Sequence, residues 1–224
     1  MPAATIVSAR EEHRLTPSVA LEDLLAAYQA RKQELDREGV YFIGEISDDE
    51  AERFSKALLL MSIQRQHTGR QPITLYINSG GGSVGAGLAM MQMMDEVRRL
   101  YSVQINTIIT GYAYSMGAIV CQAGDHRSMG RYSTMMLHSS SWTLSGEDEK
   151  IFEDYAKLAD HYRHIVADLF ARRTGVHTVR WWERYIYSGR DRFLSAAECL
   201  KLGLVDEVPG LSLPVSARAT LPRR

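Results

Sequence analysis

Ile73-Thr-Leu-Tyr-Ile-Asn-Ser-Gly-Gly-Gly-Ser-Val-Gly85 sets an apolar run against three consecutive glycines, and residues 88–100 follow with Met90, Met91, Met93 and Met94. The run reads as a strand over 73–78, the glycines as a sharp turn, and the methionine-rich stretch as a helix whose methionines pack a core. The same alternation recurs on either side. Residues 40–44 read as a short buried strand, and Ser47-Asp-Asp-Glu50 opens a helix with the Ser-x-x-Glu capping pattern ahead of Phe54, Leu58 and Met61. Residues 103–110 form another strand, which leads through Gly111 into an apolar helix beginning near Ser115 and running to Gly124. Strands alternating with helices predict an α/β domain with parallel strands.

Outside this centre, residues 1–16 lack periodicity. Residues 20–37 carry Leu21, Leu24, Leu25, Tyr28 and Leu35 near helical spacing, which predicts an amphipathic helix closed by Gly39. The longest periodic segment is 148–173, a helix of roughly 40 Å at the standard rise per residue. That is well beyond the usual length of about 11 to 12 residues. Its broad apolar stripe leaves two uses open, packing on another subunit or lying within one domain. Residues 209–224, with Pro214, Pro222 and a basic end, read as a flexible tail.

The bulk properties narrow the class. With 224 residues, 45% hydrophobic and 24% charged, the chain has the composition of one main globular domain. A formal net charge of −1 gives no footing for nucleic acid, which calls for clustered cations. Cys121 and Cys199 are too few for a disulfide scaffold and lack zinc-site spacing, so a reduced, cytoplasmic setting is expected. Arg10, Glu11, Glu12, His13 and Arg14 break any apolar signal core, and no charge-free stretch is long enough to span a bilayer.

Gly80-Gly-Gly-Ser-Val-Gly85 satisfies the G-x-G-x-x-G fingerprint between a strand and a helix. The next strand, however, ends in Ile108-Ile-Thr-Gly111, with no acidic residue to hold a ribose hydroxyl. The loop therefore reads either as a plain turn or as a set of backbone N–H donors beside a reacting atom. Ser115 stands at a strand-to-helix junction, beside helix N-terminal amides that favour developing negative charge. As a residue it fits a nucleophile or an ordinary helix cap. His161 and His164, three apart on the long helix, lack a third ligand and read as solvent-facing rather than metal-binding.

Four segments, taken in order, resemble the ClpP peptidase family, the proteolytic subunits of ATP-dependent Clp proteases. They are Tyr76-Ile-Asn-Ser-Gly-Gly-Gly-Ser-Val84, Ala113-Tyr-Ser-Met-Gly117, Met135-Met-Leu-His138, and Arg190-Asp-Arg-Phe-Leu-Ser-Ala196 with Gly203-Leu-Val-Asp-Glu-Val208. The resemblance implies Ser115 as nucleophile, His138 as base and Asp191 as the residue orienting that base. It also implies an oxyanion hole at the backbone N–H groups of Gly82 and Met116. The fold it implies is the ClpP/crotonase-like spiral of β-β-α units with a long handle helix. The domain plan is then 1–38 as an N-terminal segment, 39–208 as the peptidase domain and 209–224 as the tail. By the same resemblance the chain hydrolyses peptide bonds of unfolded proteins without metal or cofactor. It does so inside heptameric rings of its own or paralogous subunits, doubled into a barrel and fed by a separate AAA+ Clp ATPase. No P-loop occurs in this chain. A structural ring subunit and a crotonase-like acyl-CoA enzyme are the alternatives of other classes. Four departures from the family pattern stand out: Gly80 where proline is usual, Ser139-Ser-Ser-Trp-Thr-Leu-Ser-Gly146 after His138, Tyr187-Ser-Gly189 before Arg190, and residues 1–38, which do not match the family's axial-loop region.

Overall fold

The computed structural model describes residues 21–68, 72–139 and 149–211. The expectations for residues 1–16, for 140–146 and for the tail beyond 211 lie outside them. The chain divides into two units, Met1–Glu34 and Leu35–Arg224. A first helix, α1 (Leu21–Glu38), matches the predicted 20–37, and its Leu24, Leu25 and Tyr28 are exposed in the isolated chain.

In the larger unit the order is β1 (Val40–Ile43), α2 (Asp48–Thr68), β2 (Ile73–Ser79), α3 (Val84–Tyr101), β3 (Ile105–Tyr114), α4 (Met116–Cys121), β4 (His126–Met129), β5 (Thr134–Leu137), α5 (Glu149–Thr174), α6 (Val179–Ile186), β6 (Arg192–Ser195) and α7 (Ala196–Lys201). The strands form one sheet in the order β1-β2-β3-β5-β6, with β4 also on β3. Every pairing is parallel except β5 with β6, which is antiparallel. The α/β expectation thus holds, with one reversed strand at the edge.

Burial explains why these segments take these forms. In β2, Ile73, Leu75 and Ile77 are fully buried on one face, the period of two that a strand imposes. Phe54, Leu58 and Met61 of α2 and Met90, Met94 and Val97 of α3 fill the same core, so the methionine cluster is packing as expected. The capping pattern at α2 is half realised. The Ser47 hydroxyl accepts from the Glu50 amide, but the Glu50 carboxylate accepts from the Tyr41 hydroxyl at 3.0 Å and from Arg53 at 2.7 Å instead.

Two boundaries differ from the sequence reading. Helix α3 starts at Val84, because the Ser83 hydroxyl caps it through the Ala86 amide. Strand β3 passes Gly111 and continues to Tyr114: the Asn78 side chain accepts from the Tyr112 amide at 3.1 Å, and Gly111 leaves room for that side chain. This extra length lets β3 pair β4 through residues 106–109 and β5 through residues 112–114. Helix α5 buries Val166, Ala167 and Phe170 in its C-terminal half, whereas Tyr155 and Leu158 are exposed.

The C-terminal segment is locked to β4 by an ion pair whose arginine end is buried. Arg127, 1% exposed, donates to Asp206 through Nε at 3.0 Å and Nη2 at 2.8 Å, and to Gln122 through Nη1 at 2.6 Å. Gln122 in turn donates to the Leu204 carbonyl at 3.1 Å. Removing one partner of such a pair strands a desolvated charge. Asp206→Ala is expected to lower unfolding free energy by about 3 kcal/mol, measurable by urea denaturation; a loss within experimental error would contradict this role.

Candidate active site

Ser115 lies where β3 turns into α4, with φ +52 and ψ −122. A left-handed φ costs a residue with a side chain on the order of 1–3 kcal/mol, so surrounding contacts must enforce it. The Ser115 amide donates to the Met136 carbonyl of β5 at 2.9 Å, and its carbonyl accepts from the Ala118 amide at 3.1 Å. On the other side, a Cβ built on Gly81 would stand 2.7 Å from the Ser115 Cβ and 2.9 Å from the Tyr114 carbonyl. Ser115 occupies the cap position of α4 but its side chain caps nothing. Its Oγ instead lies 2.8 Å from His138 Nε2, which removes the ordinary helix-cap alternative.

His138 is the residue after β5 and Asp191 the residue before β6. The antiparallel register pairs Leu137 with Arg192; carried one residue further, it sets His138 opposite Asp191. Asp191 Oδ1 and His138 Nδ1 are 4.0 Å apart, an ion-pair separation longer than a hydrogen bond. The Asp191 side chain is 60% exposed and that of His138 25%. All three side chains thus gather at one end of β3, β5 and β6, with Ser115 and His138 beyond the carboxyl ends of parallel strands, where open α/β sheets place their ligands.

The glycine loop is pinned beside them. Ile46 donates its amide to the Gly81 carbonyl at 2.9 Å and accepts from the Ser83 amide at 2.8 Å, so this bridge leaves out the Gly82 amide. Gly82 has φ +143, and a Cβ there would run into the Ile46 carbonyl. The Met116 amide is at the start of α4, 3.1 Å from the Cβ position of Gly81. Within the loop, Gly81 therefore packs on the Ser115 turn and Gly82 on Ile46.

An open cleft begins at Ser115 and His138. Its apolar walls include Ile119 of α4, Val166 and Phe170 of α5, and Ile186 and Tyr187 at the end of α6. The α6 contribution was missed in the sequence, although Trp181, Trp182, Tyr185 and Ile186 fall at helical spacing behind Thr178, whose hydroxyl caps the Trp181 amide. Burial pushes the Cys121 thiol up to about 11 and also raises that of Cys199, so neither offers a thiolate. His161 and His164 are exposed as expected, and His164 Nδ1 meets Glu183 at 3.2 Å.

A serine held in a strained strand-to-helix turn, with a histidine on its Oγ and an apolar cleft alongside, is the arrangement of an α/β serine hydrolase. The Clp protease family pattern matches residues 23–210. The chain is 34% identical over 185 residues to ATP-dependent Clp protease proteolytic subunit 2 of Thermobifida fusca, covering 81% of this chain and 85% of that one. It is 31% identical over 209 residues to proteolytic subunit 3 of Rhodococcus jostii, covering 92% and 96%. With the proteolytic subunit of Borreliella afzelii it shares 30% identity over 175 residues, 77% and 83% of the two chains. The chain belongs to the Clp protease family and is a serine-type peptidase.

The packing around the glycine loop is testable. Gly82→Ala is expected to lower peptidase turnover at least tenfold and to depress the thermal midpoint, because the new Cβ displaces Ile46. Gly80→Ala, whose Cβ meets open space, should stay within twofold on turnover. Equal behaviour of the two variants in a fluorogenic peptide assay would contradict this placement.

Proposed function

We propose that the chain cleaves peptide bonds of unfolded proteins, with Ser115 as nucleophile, His138 as general base and acid, and Asp191 as the group that orients His138. The observation that carries this reading is the 2.8 Å separation of Ser115 Oγ and His138 Nε2 at the head of the apolar cleft. A serine hydroxyl is a weak nucleophile until a base takes its proton. His138 Nε2 accepts that proton as Oγ bonds to the scissile carbonyl carbon. The resulting oxyanion is held by the Gly82 and Met116 amides, and one such donor is typically worth about 3 kcal/mol. As the intermediate collapses the C–N bond breaks, and His138 passes its proton to the departing amine. Water then attacks the acyl-serine ester, again losing a proton to His138, and the acid is released with Ser115 restored. Asp191 holds the Nδ1 proton in place and stabilises the imidazolium.

The cleft's apolar walls favour an apolar side chain on the residue preceding the scissile bond. Residues 39–208 form the peptidase domain in this reading, with 1–38 and 209–224 as appended segments. The assembly is a pair of heptameric rings, homomeric or shared with paralogous subunits, that encloses the sites and receives chains from an AAA+ Clp ATPase. The names of the relatives support ATP dependence, and the exposed Tyr155 and Leu158 on α5 leave apolar surface for a second subunit. Cytoplasmic residence fits the two buried free thiols. No described helix is long and apolar enough to cross a membrane.

Ser115→Ala is expected to reduce hydrolysis of small fluorogenic peptides by about 10³-fold or more and to abolish labelling by a fluorophosphonate. Unchanged peptidase activity in that variant would overturn the assignment. Native mass spectrometry should give seven- or fourteen-subunit species, and monomers under all conditions would count against the barrel.

A further inference from the structure

Asp191 presents a positional problem. Its side chain is 60% exposed and meets His138 Nδ1 at 4.0 Å, so neither burial nor a tight hydrogen bond of its own fixes where the carboxylate stands. It belongs to a short connection between α6 and β6 that turns at Gly189, with φ +76. A carboxylate at the end of such a connection is only as well placed as the connection itself.

The next residue closes that connection on itself. The Arg192 backbone is fixed in the β5–β6 ladder opposite Leu137. Its guanidinium reaches back across the loop, donating from Nε to the Tyr185 carbonyl at 2.7 Å and from Nη2 to the Ser188 hydroxyl at 3.2 Å. The same group lies over the Tyr185 ring, 4.3 Å from its centroid. Tyr185 is stacked on Trp181 at 4.5 Å and Trp181 on His177 at 3.6 Å, with interplanar angles of 13° and 15°. Helix α6 is in turn tied to α5 by His164 with Glu183 at 3.2 Å, and the residue after it by Arg163 over the Tyr187 ring at 5.0 Å. One guanidinium therefore joins both ends of the connection, and a continuous stack of planar groups backs it. Arginine suits this task because its planar fork donates in fixed directions while its face stacks on an aromatic ring, neither of which a lysine ammonium does.

We propose that Arg192 is a positioning residue that sets the Asp191 carboxylate against His138 by clasping the 187–191 connection to α6. The inference rests on the role assigned above to Asp191. It makes no contact with substrate a requirement, so its loss acts on turnover rather than on peptide binding.

A double-mutant cycle on the full-length protein separates this from a merely structural role. With a small fluorogenic peptide, Arg192→Ala is expected to lower kcat about tenfold with KM within twofold of wild type. Asp191→Asn is expected to lower kcat about a hundredfold or more, since it removes the group that orients the base. In the Asp191→Asn background, adding Arg192→Ala should change kcat less than twofold, because nothing remains for Arg192 to position. Equal losses from Arg192→Ala in both backgrounds, or a single variant within twofold of wild type, would overturn the proposal. If thermal melting shows that Arg192→Ala does not fold, the same cycle is run with Arg192→Lys, which keeps the charge and loses the fork and the stack. That variant should lose at least threefold in kcat in the wild-type background and nothing further beside Asp191→Asn; additivity again overturns the proposal. Full activity of Asp191→Asn alone would instead remove the role of Asp191, an outcome distinct from a failure of Arg192.

Discussion

The turn at Ser115 requires a backbone conformation that a serine does not adopt unaided, and much of the surrounding architecture bears on it. Strand β3 must be long enough to pass β4 and reach β5, because the Met136 carbonyl that receives the Ser115 amide belongs to β5. The glycine loop must approach without a Cβ, because Gly81 lies against Ser115 and Tyr114. Ile46, three residues past β1, must in turn hold that loop through Gly81 and Ser83. Three segments far apart in sequence thus converge on one pair of dihedral angles. Their combined contacts offset a local cost of on the order of 1–3 kcal/mol and aim Oγ away from the helix and at His138.

The one antiparallel pairing in the sheet has a specific consequence. Parallel strands β3 and β5 bring Ser115 and His138 out at the same end. A further parallel strand would present its carboxyl end there as well, and the residue preceding it would lie at the opposite edge. Reversing β6 lets its first residues share that end, so the register brings the Asp191 backbone opposite His138 and leaves the placing of the carboxylate to the side chains around it. The order serine, histidine, aspartate along the chain is then a property of this sheet and not of the chemistry, which requires only the geometry.

Much of this was legible in the sequence, for reasons that differ from element to element. Strand β2 and helix α3 were readable because burial is one-sided and periodic, and Ile73, Leu75, Ile77, Met90 and Met94 record it directly. The continuation of β3 past Gly111 was not, because glycine ordinarily ends a strand and the reason for its presence, the Asn78 side chain, is 33 residues away in the chain. Ser115 had a local argument from its junction. His138 and Asp191 had none, since their meeting is fixed by strand register between segments of four residues each, too short to show period or partner. The glycine fingerprint was ambiguous by itself, because a loop that lets a backbone approach a phosphate has the same composition as one that lets it approach a serine, and only the missing acidic residue on the next strand told them apart.

The two halves of the site also differ in how they are held. Ser115 sits in a turn fixed by backbone hydrogen bonds and a glycine contact, with Met116, Ala118 and Cys121 fully packed behind it. Asp191 sits on a connection whose restraints come from side chains: a guanidinium on a carbonyl, a hydroxyl and a ring. Backbone restraints in a core resist deformation, whereas side-chain restraints at a partly exposed surface yield at modest cost. Ser115 and His138, the proposed nucleophile and base, are already at hydrogen-bonding distance, whereas the Asp191 carboxylate stands off at 4.0 Å. Because the Asp191 connection is tied through Tyr187 and Glu183 to α5, whose other half is exposed, whatever covers that helix bears on the same part of the site.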